Sequence, residues 1–242
     1  MELTIDIGNT ASKATVFYKD KIKWTGTFKK LALRDLKNIF SHHDIHASIL
    51  SSVTKTNNQL IRFLNAETTF IRMTSKTKTP LINRYKTPET LGTDRLAGAV
   101  GASKIFPKKD VLVIDLGTCI KYDFVTADKE YLGGSISPGL QMRFQALHNF
   151  TDRLPLIQPG VTKSFIGAST KDSILTGVQE GMANEINGFI SSYKKKFGAV
   201  KVILSGGDAP LFAGHIKSSI FAAPNLIHIG LHEILIHHVE RT

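Results

Sequence analysis

Two short stretches of this 242-residue chain combine a carboxylate, a glycine and a hydrogen-bonding side chain at nearly the same spacing. One is Asp6-Ile7-Gly8-Asn9-Thr10, and the other is Asp115-Leu116-Gly117-Thr118. Each closes a run that reads as a strand, Leu3, Ile5 and Ile7 alternating with Thr4 and Asp6 in the first case and Val111 to Ile114 in the second. A buried carboxylate left alone costs on the order of several kcal/mol, so an aspartate at a strand end needs a partner or a task. A glycine turn offers the task. It lets the backbone approach a phosphate closely, its amides and the Asn or Thr side chains donate hydrogen bonds, and the aspartate holds a cation that offsets phosphate charge. Ser205-Gly206-Gly207-Asp208-Ala209 adds a third glycine turn, suited to the adenosine end of a nucleotide. Thr93-Asp94-Arg95 offers different chemistry. A carboxylate is too weak a base to ionise an alcohol beforehand, yet it can orient the hydroxyl and take its proton as a bond to phosphorus forms. Arginine beside it presents a planar fork for a carboxylate. The same three residues also suit a helix start, with Thr93 as N-cap, Asp94 in the first turn and Arg95 as a surface charge. Sequence alone leaves both readings open.

The elements that must position these residues repeat one order twice. Strands are expected at 2–7, 13–19 and 22–28, then helices and strands alternate to a helix over 93–106. A loop rich in Thr, Lys and Pro (74–90) precedes that helix. The second half gives strands at 111–117, 119–126 and 131–137 and a helix from Pro138 to Phe150. A long helix follows from about Lys171 to Lys196, with Gly198 as its stop. A strand at 200–207, a helix from about Ala209, a short apolar strand at Leu226-Ile227-His228-Ile229 and a last helix from about Leu231 complete the chain. Three strands and then alternation, twice over, predict two similar α/β domains, 1–109 and 110–242, each presenting its first hairpin turn to the cleft between them.

Bulk properties narrow the classes. The chain is 42% hydrophobic, enough for a sizeable core, and carries a formal net charge of +11, which favours an anionic partner. No apolar run approaches the roughly 20 residues of a membrane span, so no membrane role is expected. The single cysteine, Cys119, fits a reducing cytoplasm and reads as a small filler. The lysines are scattered, without the aromatic-basic pattern of an RNA-binding module, and no nucleic-acid partner is expected. His232 and His237 lie five apart, about 140° around a helix at roughly 100° per residue, and cannot easily share a metal.

On these residues the chain resembles a type III pantothenate kinase, within the superfamily of actin-like ATPases and sugar kinases. Asp6 to Lys13 is similar to that family's opening phosphate motif, and Tyr85 to Arg95 (YKTPETLGTDR) to its most specific segment. Asp115 to Thr118, Gly133 to Gly139 (GGSISPG) and Gly167 to Gly177 (GASTKDSILTG) follow in the family's order. The resemblance implies two ribonuclease H-like domains of the actin-like ATPase fold with an interdomain cleft. It implies transfer of phosphate from ATP to pantothenate, giving 4′-phosphopantothenate, the first step of coenzyme A synthesis. It also implies a homodimer, with Mg2+ or a similar divalent metal and a monovalent cation, K+ or NH4+. Matched residue by residue, Asp6, Ile7, Gly8, Asn9, Thr10, Ala11, Ser12 and Lys13 would hold ATP phosphates and, through Asp6, the metal. Thr118 would also touch ATP. Tyr85, Gly92, Thr93, Asp94 and Arg95 would hold pantothenate, with Thr170 contributing and Asp94 as proton acceptor. Asp115 falls on the monovalent-cation ligand.

Two positions depart from the pattern. Ser169 stands where the family usually has Asn, and Lys121 where it usually has Thr. Strand parity puts Lys121 on the face of Asp115, where its ammonium would partly replace the external ion; the competing expectation is a solvent-facing lysine on an edge strand. Thr170 is also a candidate N-cap for the long helix. Besides pantothenate kinase, two other functions fit the motifs: an actin-like kinase for another small hydroxylated substrate, and a non-catalytic nucleotide-binding regulator.

Overall fold

The computed structural model describes residues 1–162 and 164–239. In chain order the elements are β1 (Glu2–Ile7), β2 (Ser12–Tyr18), β3 (Lys21–Phe28), α1 (Leu33–His42), β4 (Ala47–Ser52), α2 (Asn58–Glu67), β5 (Thr69–Arg72), β6 (Ile82–Asn83) and α3 (Thr93–Ile105). They continue with β7 (Val111–Leu116), β8 (Cys119–Val125), β9 (Glu130–Pro138), α4 (Leu140–Asn149), α5 (Thr170–Phe197), β10 (Lys201–Ser205), α6 (Ala209–Phe212), β11 (Phe221–Ala222) and α7 (Leu226–Val239). No helix among the described residues is long and apolar enough to cross a membrane.

The chain forms two compact units. Among the described residues, one comprises 1–108, 125–133 and 225–239; the other comprises 109–124 and 134–224. The first unit therefore takes in β9's first residues and α7, which a single cut at 109/110 does not give. Helix α7 belongs there because its apolar residues Leu231, Ile234 and Leu235 share a core with Leu96, Ala97 and Val100 of α3.

In the first unit the sheet order is β3-β2-β1-β4-β5, with β1–β2 and β2–β3 antiparallel and β1–β4 and β4–β5 parallel. Period-two alternation assigns the faces. Leu3 and Ile5 pack with Leu36 of α1 and Leu60 of α2. Thr4 turns the other way and meets His228 of α7. Contact between α3 and α7 depends on small residues: a Cβ on Gly230 would lie 1.7 Å from the Ala97 carbonyl oxygen, and one on Gly101 would lie 2.4 Å from that of Leu226. The expected strand at 226–229 is thus the first turn of α7. Four apolar-rich residues do not distinguish a strand from a helix buried on several sides, and here Gly230 carries the helix onward against α3.

In the second unit the strands run β11-β10-β7-β8-β9. Leu112, Ile114 and Leu116 of β7 and Ile120, Tyr122 and Phe124 of β8 all enter one core. Ile174, Val178, Met182, Ile186 and Ile190 recur every four residues along α5 and close that core. At roughly 2 kcal/mol per buried side chain, those five contribute on the order of 10 kcal/mol before ordering costs. Helix α5 ends where expected, at Gly198 with φ +79°.

Candidate active site

In the first unit, β1 delivers Asp6 to the turn and β2 carries Lys13 directly opposite it. Between them the Gly8 amide donates to the Ala11 carbonyl at 3.0 Å, which closes the turn and leaves Asn9 and Thr10 at the surface. On its other side Asp6 is paired with Ser51 of β4. Ser51 is fully buried, and its hydroxyl lies 2.9 Å from that of Thr93, the first residue of α3. The phosphate-type turn and the Thr93-Asp94-Arg95 segment are therefore joined through one side chain. Sequence reading missed Ser51; the available signal was the pair of serines that ends β4 after Ile49 and Leu50.

The start of α3 differs from the expectation of a Thr93 cap. Gly92 occupies the N-cap position, and a Cβ there would come within 2.6 Å of Asp94 Oδ1. That oxygen accepts from the Arg95 amide at 2.9 Å. Arg95 is not a surface charge: it is 7% exposed, with its guanidinium carbon 5.6 Å from the centre of the Tyr85 ring. The Tyr85 amide donates to Asn83 Oδ1 at 2.9 Å, and the ring closes over Gly133. At Gly133, with φ +95°, a Cβ would lie 2.9 Å from that ring. Tyr85, Gly92, Thr93, Asp94 and Arg95 thus converge, and Gly133 from the GGSISPG segment joins them.

Behind Asp6, His228 Nδ1 lies 2.8 Å from the Thr4 hydroxyl. Burial, reinforced by the nearby Lys13 charge, lowers the His228 pKa to about 3, so the ring is neutral. His232 is also buried; it stacks on Phe17 at 4.3 Å, and burial shifts it downward too. Neither histidine belongs to a metal-binding group, and no such group occurs among the described residues.

The second unit gathers three glycine segments around the end of β7. Gly139 donates to the Thr118 carbonyl at 3.2 Å, and a Cβ there would fall 2.3 Å from the Gly117 oxygen. Gly206, with φ +94°, lies against Leu116, whose carbonyl accepts from the Asp208 amide at 3.0 Å. Asp115 is the register partner of Ser205. Lys121 Nζ stands 2.7 Å from Asp115 Oδ2, in side chains only 18% and 16% exposed. The expectation of a solvent-facing lysine on an edge strand fails because β8 lies between β7 and β9.

Beneath the GGSISPG segment, Arg143 donates to the Ser137 hydroxyl, the Pro138 carbonyl and Glu185, and Glu185 accepts from the Tyr122 hydroxyl at 2.9 Å. Burial and the Glu185 carboxylate push the Tyr122 phenol upward, so it remains a donor. This network ties β8, β9, α4 and α5 together. The N-cap of α5 is Ser169 rather than Thr170: its hydroxyl oxygen accepts from the Asp172 amide at 3.1 Å and donates to the Asp172 carboxylate at 2.7 Å. Serine caps as well as asparagine, so this departure leaves the helix start intact. Thr170 follows as the first helical residue and lines an open groove of about 870 Å³ with Arg143, Leu147 and Ile174.

Residues 2–192 match the family model described as type III pantothenate kinase. The chain belongs to the type III pantothenate kinase family. It is 42% identical to a type III pantothenate kinase of Christiangramia forsetii over 97% of this chain and 98% of the relative. It is 41% identical to one of Bacteroides fragilis over 97% of both. A ROK family protein of Streptococcus pneumoniae, solved in complex with sucrose, has a similar fold at 13% identity, with a TM-score of 0.56 over 100% of this chain and 99% of that one. The family member is accordingly a phosphotransferase with the two-domain actin-like fold expected from its motifs.

Proposed function

We propose that this chain transfers the γ-phosphoryl group of ATP to the primary hydroxyl of pantothenate, the reaction that opens coenzyme A synthesis. The observation that carries this reading is the Ser51 link. It joins the Asp6 turn to the Thr93-Asp94-Arg95 segment within the first unit. In this reading Asp6 to Lys13 cradle the phosphates, and Thr118 contributes a further contact. Tyr85, Gly92, Thr93 and Arg95 hold pantothenate, the Arg95 fork serving its carboxylate, and Thr170 adds a hydroxyl. Asp94 aims the acceptor oxygen at phosphorus. As the new P–O bond forms and the bond to ADP breaks, the hydroxyl proton passes to the Asp94 carboxylate.

The donor set fits a divalent cation beside the phosphates: Asp6 is an oxygen ligand at the mouth of a glycine turn, suited to a hard ion such as Mg2+. When bound, that ion neutralises charge on the β- and γ-phosphates. A monovalent ion at Asp115 fits less well, since Lys121 already lies against Oδ2.

We further read the protein as a cytoplasmic homodimer with α5 at the contact. Gly177, Gly181, Asn184 and Gly188 are exposed and fall within about 60° of one another around the helix, at roughly 100° per residue. A Cβ on any of the three glycines meets nothing within 4 Å in this chain. Glycine inside a helix costs ~1 kcal/mol relative to alanine, and close approach of a second copy gives that cost a use. Asn184, on the same face, can hydrogen-bond across such a contact. Phe150, Phe165 and Ile166 stand 87%, 78% and 77% exposed in the segment leading to α5. They supply apolar area for the same contact.

Purified protein with ATP and Mg2+ should form ADP only when pantothenate is added. Formation of ADP with a sugar instead would favour the alternative actin-like kinase, and no ADP with any acceptor would favour a nucleotide-binding regulator.

A further inference from the structure

Residues of even number on β7 and β8 point into one core: Leu112, Ile114 and Leu116, then Ile120, Tyr122 and Phe124. The Gly117-Thr118 turn preserves that parity, so Asp115 and Lys121 share the opposite face. The first unit carries a comparable pair, Asp6 opposite Lys13 across its own glycine turn. Both halves thus place a lysine just beyond the turn, on the strand that follows the aspartate. Because β8 has a strand on either side and both side chains are mostly buried, the Lys121 ammonium is held in place and cannot swing freely into solvent.

We infer that the Lys121 ammonium is a built-in monovalent cation at the second phosphate turn, and that this enzyme therefore needs no dissociable potassium or ammonium ion there. The inference rests on the kinase reading above. A single carboxylate balances a single positive charge; with Lys121 at 2.7 Å, a second cation approaching Asp115 meets repulsion from the ammonium. A tethered charge also bears no dissociation constant, so the site stays charged at any ionic composition. Lysine places this charge as a compact ammonium on a flexible stem, the closest side-chain equivalent of an alkali ion.

The test uses direct ion binding and catalysis in parallel on the full chain. Thallium(I), an NMR-visible potassium surrogate, is titrated into wild type, Lys121→Thr and Lys121→Arg, and melting temperature is compared in sodium and potassium chloride at equal ionic strength. Wild type and Lys121→Arg should show no potassium-competable thallium signal and no potassium-specific stabilisation. Lys121→Thr should gain both, since an ion that binds only the native state stabilises it. Turnover should vary less than ~2-fold with the ion for wild type, whereas Lys121→Thr should lose about tenfold in sodium and recover in potassium. A potassium-competable signal in wild type would overturn the inference, as would a folded Lys121→Thr that takes no thallium and works equally well in sodium. Should Lys121→Thr not fold, Lys121→Met and the wild-type titration decide in the same way. Absence of phosphate transfer to pantothenate in every salt would count against the kinase reading, while the ion titration still decides the role of Lys121.

Discussion

At Asp94 the Arg95 amide holds one carboxylate oxygen at 2.9 Å, which fixes the direction of the side chain. Asp94→Asn keeps that geometry but removes the proton acceptor. Its turnover should fall roughly 10²-fold or more, with ATP and pantothenate binding retained within several-fold. Single-turnover kinetics with isothermal titration would separate the two effects, and near-normal turnover would exclude the assigned role. Arg95→Ala should behave differently. It removes a buried side chain packed on Tyr85, so weaker pantothenate binding should come with a lower melting temperature. His228 supplies a pH prediction. Its pKa is lowered from 6.5 to about 3 by burial, so below about pH 6.5 the unfolded chain takes up a proton that the folded chain refuses. Stability should be fully present above pH 6.5 and decline as pH falls toward 3; urea midpoints across that range should show it, and His228→Gln should flatten the slope. At this scale residue type and spacing marked Asp6, Asp94, Arg95 and Asp115 as candidates. They did not mark the residues that brace the segments around these four. Ser51, Arg143 and Glu185 act through partners on distant elements, and nothing local in their segments marks such pairings.

Elements were legible where local pattern and tertiary burial agree. The alternation in β1, the four-residue stripe of α5 and the glycine at its end carried their own signals. Pattern failed at Leu226–Ile229, where a helix buried on several sides has no polar face to betray its period. It failed again at the start of α3, where Gly92 is preferred over a hydroxyl cap because Asp94 Oδ1 occupies the adjoining space. The contact between α3 and α7 makes this testable. Gly230→Ala forces a methyl group into the Ala97 carbonyl, so the helices must separate, at a cost of about 2 kcal/mol or more. Gly98→Ala, also on α3 but with nothing within 4 Å of the new Cβ, should be neutral or stabilising by up to ~1 kcal/mol. Urea unfolding of the two variants measures the difference.

Over the whole molecule, the net charge of +11 suits a polyanionic substrate. The glycine-rich face of α5 bears on assembly. If Thr170 serves the neighbouring copy, inactive Asp94→Asn and Thr170→Ala protomers should regain activity when mixed, because some mixed dimers contain one intact site. Proven subunit exchange without recovery would mean that each chain builds its own pocket. The return of α7 to the first unit has a further consequence, for biosynthesis. A ribosome makes β1 to α3 first, yet the α3 surface that receives Leu231, Ile234 and Leu235 stays uncovered until α7 has been made. The second unit, interrupted only by residues 125–133, is completed earlier, so the nascent chain finishes its middle before its beginning. Until α7 arrives, the half-made first unit exposes an apolar helix face of the kind that chaperones bind, and ribosomal pausing before codon 226 would prolong that exposure.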